Sequence, residues 1–137
     1  MKKLISIIIP VYNEENTIHK LYSLLLTNFD SLKKKYEHEI IFVDDGSSDK
    51  SNSLIQTLTT KDRRVKLIEF SRNFGKEMAT SAGLQYAKGK GVLLIDADLQ
   101  HPVELIPKFI EKWEKGAEMV IGVRQKNRGE GIIKRFG

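Results

Sequence analysis

The residues most able to do chemistry stand at the ends of apolar runs. Asp96 and Asp98 lie one residue apart, directly after Gly91-Val92-Leu93-Leu94-Ile95. Two carboxylates at that spacing repel each other unless a cation lies between them. Hard oxygen donors suit Mg²⁺ or Mn²⁺, and Mg²⁺ usually takes one or two carboxylates together with substrate phosphates. The plainer reading is a strand followed by a polar loop whose Asp residues cap the next helix. Two more runs end in the same way: Leu4–Val11 leads into Tyr12-Asn13-Glu14-Glu15, and Glu39–Val43 leads into Asp44-Asp45-Gly46-Ser47.

These groups converge only if the elements carrying them share an edge. Leu4–Val11 is apolar except for Ser6 and carries three consecutive Ile, which fits a central parallel strand buried on both faces. Pro10 marks its end, because proline has no N–H to give a ladder. Ile18, Leu21, Tyr22 and Leu25 follow at helical spacing, predicting a helix to about Tyr36 with Lys33-Lys34-Lys35 in its last turn. Asn13 or Asn16 is the candidate cap. Glu39–Val43 is the second strand. A helix to about Thr60, capped by Ser48 or Asp49, comes next, then a strand over Val65–Phe70. Ser71–Lys76 reads as a loop. Ala79, Ala82, Gly83 and Ala87 give the following helix a small-residue face that lets it lie close to a sheet. After the strand at 92–95, Pro102 suits the first turn of a helix to about Lys115, and Met119–Val123 is a fifth strand.

Short apolar runs alternating with helical patterns predict an α/β fold, a mostly parallel sheet with helices on both faces and right-handed crossovers. All three acidic strand ends then lie on one edge, where open α/β sheets bind ligands. Acids alone repel an anion, but acids with a divalent metal make a diphosphate site. No G-x-x-x-x-G-K-[ST] or G-x-G-x-x-G occurs, so Walker and dinucleotide-binding readings lose their main support.

Composition sets the frame. The 137 residues suit one domain. No apolar run reaches the ~18 residues of a membrane span. Absence of cysteine excludes disulfides, thiolate metal sites and Cys nucleophiles. Of the net charge of +5, +4 lies in 124–137, where Arg124, Lys126, Arg128, Lys134 and Arg135 face Glu130 alone. Such a segment suits an anionic membrane surface or a phosphorylated substrate, or is simply solvated. Nucleic acid is disfavoured, since no aromatic residues interleave the basic ones and no nucleic-acid-binding motif is present.

Taken together, Pro10-Val11-Tyr12-Asn13-Glu14-Glu15, Val43-Asp44-Asp45-Gly46-Ser47-Ser48-Asp49, Arg72-Asn73-Phe74-Gly75-Lys76-Glu77, Asp96-Ala97-Asp98-Leu99-Gln100-His101-Pro102 and Gly122-Val123-Arg124 resemble the family-2 glycosyltransferases of GT-A fold. The likeness is greatest to the polyprenyl-phosphate sugar transferases. It implies a nucleotide pocket lined by Pro10, Tyr12 and Glu14, and base contacts from Val43 and Asp45. It further implies Mg²⁺ or Mn²⁺ held by Asp96, Asp98 and Gln100, backbone approach of Ala97, and a phosphate contact from Arg124. Asp96 and Asp98 are thereby the expected catalytic pair. Asp44 and Ser48 are better explained as loop and cap residues, Lys76 as either a phosphate contact or a surface residue, and His101 as positional. The implied donor is a UDP- or GDP-sugar and the implied acceptor a polyprenyl phosphate at the inner face of the membrane. Homo-oligomerisation is left open.

Members of that group continue past Arg124 with further sheet, an acceptor-binding segment and often membrane helices. The resemblance therefore implies a truncated chain, with 1–123 binding the nucleotide sugar and 124–137 beginning the acceptor region. The family usually has Ser near Gly131, so phosphate contacts there are not carried over. Two rival readings remain at this stage: a haloacid-dehalogenase-type phosphatase with Asp96 as nucleophile, and a non-catalytic sugar-nucleotide-binding domain. A phospho-receiver domain lacks its phosphoacceptor, because Phe70-Ser71-Arg72 offers no Asp.

Overall fold

The computed structural model describes residues 2–98, 106–116, 119–121 and 132–134. In chain order these form β1 (Lys3–Val11), α1 (Ile18–Asp30), β2 (Tyr36–Asp44), α2 (Ser51–Lys61), β3 (Val65–Glu69), α3 (Lys76–Tyr86), β4 (Gly91–Leu94), α4 (Ile106–Glu114), β5 (Met119–Ile121) and β6 (Ile132–Lys134). The sheet order is β3-β2-β1-β4-β5-β6. The first five strands pair in parallel, and β6 runs antiparallel to β5. The chain winds outward from β1 through β2 to β3, then returns to the other side of β1 for β4. The strand order therefore reverses between β1 and β4, the place where doubly wound sheets open a crevice.

Side-chain alternation assigns the faces. Ile5, Ile7, Ile9 and Val11 of β1 join Ile40 and Phe42 of β2 and Leu93 of β4 in one cluster. Ile18, Leu21, Leu25 and Phe29 of α1, Ile55 and Leu58 of α2, and Ile106 and Ile110 of α4 cover it. Each fully buried Leu or Ile there stabilises the fold by ~1.5–3 kcal/mol relative to exposure. On the opposite face, Ile8, Ile41 and Val43 pack with Ala79 of α3, flanked by Ala82, Ala87, Val92 and Leu94. The small-residue face does bring α3 close: a Cβ on Gly83 would lie 2.4 Å from Cγ2 of Ile8.

The structure corrects the expected first helix. It stops at Asp30, and β2 begins at Tyr36 rather than Glu39. Lys33-Lys34-Lys35 therefore lies in the connecting turn, where Lys35 N–H and Tyr36 N–H both donate to Leu32 O (3.0 Å each). The early part of β2 is hard to read because polar residues fill its buried positions. Tyr36 packs against Trp113 and donates its hydroxyl to Glu114. His38 stacks on Phe29 with ring centroids 4.6 Å apart. Glu39, 2% exposed, accepts from Ser6 Oγ (2.6 Å), Lys66 Nζ (2.5 Å) and Lys88 N–H (2.8 Å), while Gly89 N–H donates to Ser6 Oγ (2.8 Å). Burial alone would raise the Glu39 carboxyl, but these donors outweigh it and hold the group below its usual range. This buried cluster fixes the turn that leads into β4. The short strand β6 was not expected from the sequence. It places part of the basic segment 124–137 on the sheet edge.

Candidate functional site

The loops at the carboxyl edge are bound to one another more than to solvent. Asn13, at φ 53°, turns its side chain across to the β2–α2 loop instead of capping α1. Its Oδ1 accepts from Ser48 N–H (2.8 Å) and Asp49 N–H (3.3 Å), and its own N–H donates to Ser47 Oγ (2.9 Å). Glu14 N–H donates to Ser51 Oγ (2.8 Å), and Glu15 N–H to Asp49 Oδ2 (3.1 Å). Asp49 Oδ1 also accepts from Ser51 N–H (2.8 Å), giving α2 the capping bond expected of it. Burial would raise the Asp49 carboxyl, but the Ser51 and Glu15 donors hold it below its usual range. Asp44 is a loop residue, as expected: its carboxylate accepts from Ser47 N–H (3.0 Å) and Asn52 Nδ2 (2.8 Å).

The third loop, 71–75, hangs on Asp45. Oδ1 accepts from Phe74 N–H (2.7 Å), and Oδ2 accepts from Gly75 N–H (3.0 Å) and Asn73 Nδ2 (3.1 Å). Gly46 lets the two loops touch. Its φ is 73°, and a Cβ there would lie 2.3 Å from the backbone carbon of Arg72. Gly75 has a φ of 106°, a conformation glycine adopts without steric cost, and it delivers Lys76 as the first residue of α3. Lys76 then forms an ion pair with Asp96 Oδ1. Alternation explains the meeting. Asp96 lies two residues beyond Leu94, on the α3 side of the sheet, while Ala97 turns inward and is 3% exposed. Thr17 secures the other side: its hydroxyl reaches Ala97 O (2.6 Å), with Glu14 Oε2 as a further acceptor at 3.1 Å.

Between these loops lies a cleft of about 220 Å³ at the β1/β4 reversal, lined by Pro10, Val11, Tyr12, Glu14, Asp45, Lys76, Asp96, Ala97 and Asp98. Seven of the expected site residues are thus brought together: Pro10, Tyr12, Glu14, Asp45, Asp96, Ala97 and Asp98. Val43 is not. Its side chain is fully buried against Ile8, Ile41 and Ala79, away from the cleft. Gln100 and Arg124, with His101, lie outside the described residues. The sequence reading left out Lys76 and missed Thr17. A lysine beginning a helix was a usable signal for Lys76, since that end of the helix dipole disfavours cations. The contact of Thr17 spans 80 residues and has no local signature.

Among the described residues, no three His, Cys, Asp or Glu side chains gather closely enough to hold a metal ion by themselves. Two carboxylates on one cleft nevertheless fit a hard divalent cation that completes its shell with ligand phosphates and water, the usual arrangement for Mg²⁺. The donor set therefore suits an ion shared with a diphosphate and not a closed protein cage.

Comparison with known proteins gives these features a context. The chain is 48% identical over 130 residues to the uncharacterized glycosyltransferase YkcC of Bacillus subtilis, covering 95% of this chain and 40% of that protein. It is 47% identical over 131 residues to the bactoprenol glucosyl transferase of Shigella phage SfV, covering 96% of this chain and 42% of that protein. It therefore spans about two fifths of the length of these curated relatives. Among solved structures, the mannosyltransferase PcManGT of Pyrobaculum calidifontis, in complex with GDP-Man and Mn²⁺, aligns with a TM-score of 0.66 at 25% identity, covering 82% of this chain and 32% of the other. S. aureus TarS 1–349 in complex with UDP-GlcNAc aligns at 0.64 and 28%, covering 85% and 32%. The fold is accordingly that of the GT-A glycosyltransferases. The family model described as Glycosyl transferase family 2 matches residues 6–136, and the chain belongs to that family and not to the phosphatases.

Proposed function

We propose that this chain binds a nucleoside-diphosphate sugar, UDP- or GDP-linked, and that the whole protein transfers the sugar, with inversion, to a polyprenyl phosphate. The observation that carries the reading is the pair Asp96 and Asp98 at the mouth of the cleft between β1 and β4. Asp96 and Asp98, with Gln100, would hold Mg²⁺ or Mn²⁺. When bound, that ion supplies Lewis-acid neutralisation of charge building on the departing diphosphate. Tyr12, 50% exposed beside the cleft, offers an aromatic face to the nucleotide. Pro10 and Glu14 line the same wall. Thr17 and Asp45 hold the loops in place, and Asp45 would also contact the base. Arg124 would reach a phosphate.

In the transfer, an acceptor oxygen attacks the anomeric carbon while the bond to the nucleoside diphosphate breaks on the opposite face, which inverts the configuration. A phosphate monoester has a second pKa near ~6 and is largely dianionic at neutral pH, so it attacks without a strong general base. Relatives named for bactoprenol glucosyl transfer support this acceptor class, and neighbours solved with GDP-Man and Mn²⁺ or with UDP-GlcNAc support the donor class. No helix among the described residues is long and apolar enough to cross a membrane. The membrane side of the reaction is therefore a reading for the whole protein, acting at the cytoplasmic face.

The test is a calorimetric panel of UDP, GDP and their sugars with and without Mn²⁺, on the wild-type chain and Asp96→Asn. Metal-dependent nucleotide binding that the variant loses is the expected result. A folded wild-type sample that binds no nucleotide in either condition refutes the proposal.

A further inference from the structure

Lys76 stands out among the residues of the cleft. Glu14, Asp45, Asp96 and Asp98 also line it, so Lys76 is the one basic side chain among its described lining residues. Its ammonium pairs with Asp96, the carboxylate to which the proposed function assigns a divalent ion. The two partners differ in freedom. The Asp96 side chain is 16% exposed, whereas that of Lys76 is 64% exposed and is not locked by packing.

Helix stability does not explain a lysine here. It is the first residue of α3, where the helix dipole favours anions, and Glu77 beside it already meets that preference. An exposed ion pair is also a weak reason to keep the residue. Yet the structure invests heavily in its placement. The Asp45 carboxylate grips the loop just before it, and Gly75 takes a left-handed backbone to bring it to the cleft. Four bonds of flexible stem and a compact charge with three donors suit a residue that changes partners.

We propose that Lys76 is a placeholder cation and a diphosphate-binding residue. Without a donor it neutralises Asp96. When a divalent ion takes Asp96, the ammonium is displaced and pairs with the diphosphate that arrives with that ion. Its charge opposes the metal when the metal comes alone and assists the nucleotide when both come together. The site therefore favours the metal–nucleotide complex over the bare ion. This matches a cleft whose described side chains do not form a metal cage unaided. The inference rests on the donor reading given above.

Opposite signs for the two ligands are the signature. On the 137-residue chain, Mn²⁺ binding is followed by the electron paramagnetic resonance signal of the free ion, and UDP and GDP binding by calorimetry at saturating Mn²⁺. Lys76→Met is expected to bind Mn²⁺ alone roughly two- to fivefold more tightly, the range for loss of an exposed ion pair. It is expected to bind the diphosphate roughly tenfold or more weakly, the scale of a lost charge-assisted hydrogen bond. Lys76→Arg keeps diphosphate binding within a few-fold, and thermal unfolding of both variants stays near wild type because the side chain is exposed. Unchanged binding of both ligands by Lys76→Met, or weakening of both, overturns the proposal. If the wild type binds UDP or GDP with Mn²⁺ and Lys76→Met matches it, the Lys76 role alone fails. If the folded wild type binds neither nucleotide, the donor reading fails with it.

Discussion

Asp45 offers a sharp test, because it is asked to do two things. The family resemblance implies a base contact, while the geometry makes it the anchor of the 71–75 loop. Substitution with Asn keeps the shape and separates the two. The carboxylate accepts from Phe74 N–H at 2.7 Å on one oxygen, and from Gly75 N–H at 3.0 Å and Asn73 Nδ2 at 3.1 Å on the other. An amide retains one acceptor oxygen and turns an NH₂ toward two of those donors. A hydrogen bond to a charged acceptor contributes about 1.5–3 kcal/mol net. The loop is partly exposed, with Phe74 at 46%, so water recovers some of the loss. A cost of about 1–2 kcal/mol remains for Asp45→Asn without any ligand present, by the same hydrogen-bond scale. Asp45→Ala costs more, about 3 kcal/mol, since it leaves backbone N–H groups without a partner. For a domain of this size about 1 kcal/mol shifts the melting temperature by roughly 3–5 °C. Ligand-free Asp45→Asn should therefore melt roughly 4–8 °C below wild type by that scaling. Amide exchange should quicken at Phe74, Gly75 and Lys76 and stay unchanged in β1. A ligand-free variant that melts at the wild-type temperature, with unchanged exchange in the loop, refutes the anchoring argument and leaves only the base contact.

Two further measurements probe the opposite edge of the sheet. Burial lowers the His38 pKa from 6.5 to about 4, with Arg64 adding to the effect, so the folded protein keeps the ring neutral while the unfolded chain protonates it. The unfolded state then binds more protons between pH 4 and 6.5, and stability is full above that window and falls by up to about 3 kcal/mol as the pH drops through it. In urea titrations at pH 7 and pH 4.5, His38→Phe, which keeps the stack on Phe29, should flatten this dependence; a slope identical to wild type refutes the assignment. Glu39→Ala removes the acceptor shared by Ser6, Lys66 and Lys88 and should cost about 3–5 kcal/mol, the scale for breaking a buried charge pair. A midpoint shift worth less than about 1 kcal/mol would show that the cluster contributes little.

The sequence by itself determined the layered fold and the edge on which the chemistry gathers. Continuous apolar runs in β1 and β2 can only be strands buried on both faces, and parallel strands must end their polar turns on the same side. That is why Pro10, Tyr12, Glu14, Asp45, Asp96, Ala97 and Asp98 could be named from the chain alone. It failed where local pattern and burial disagree. Tyr36, His38 and Glu39 occupy buried strand positions with polar groups, so their partners on Glu114, Phe29 and Lys66 had to be seen before β2 could be given its full length. Val43 follows the same logic in reverse: its place in the motif was legible, but the pleat turns its side chain into the core. What only the tertiary structure decided is which loop atoms meet. Asp45 reaches Phe74, Thr17 reaches Ala97, and Lys76 reaches Asp96 across 20 to 80 residues of chain. Such contacts depend on crossover geometry and strand order, and neither leaves a periodic trace in the residues that make them.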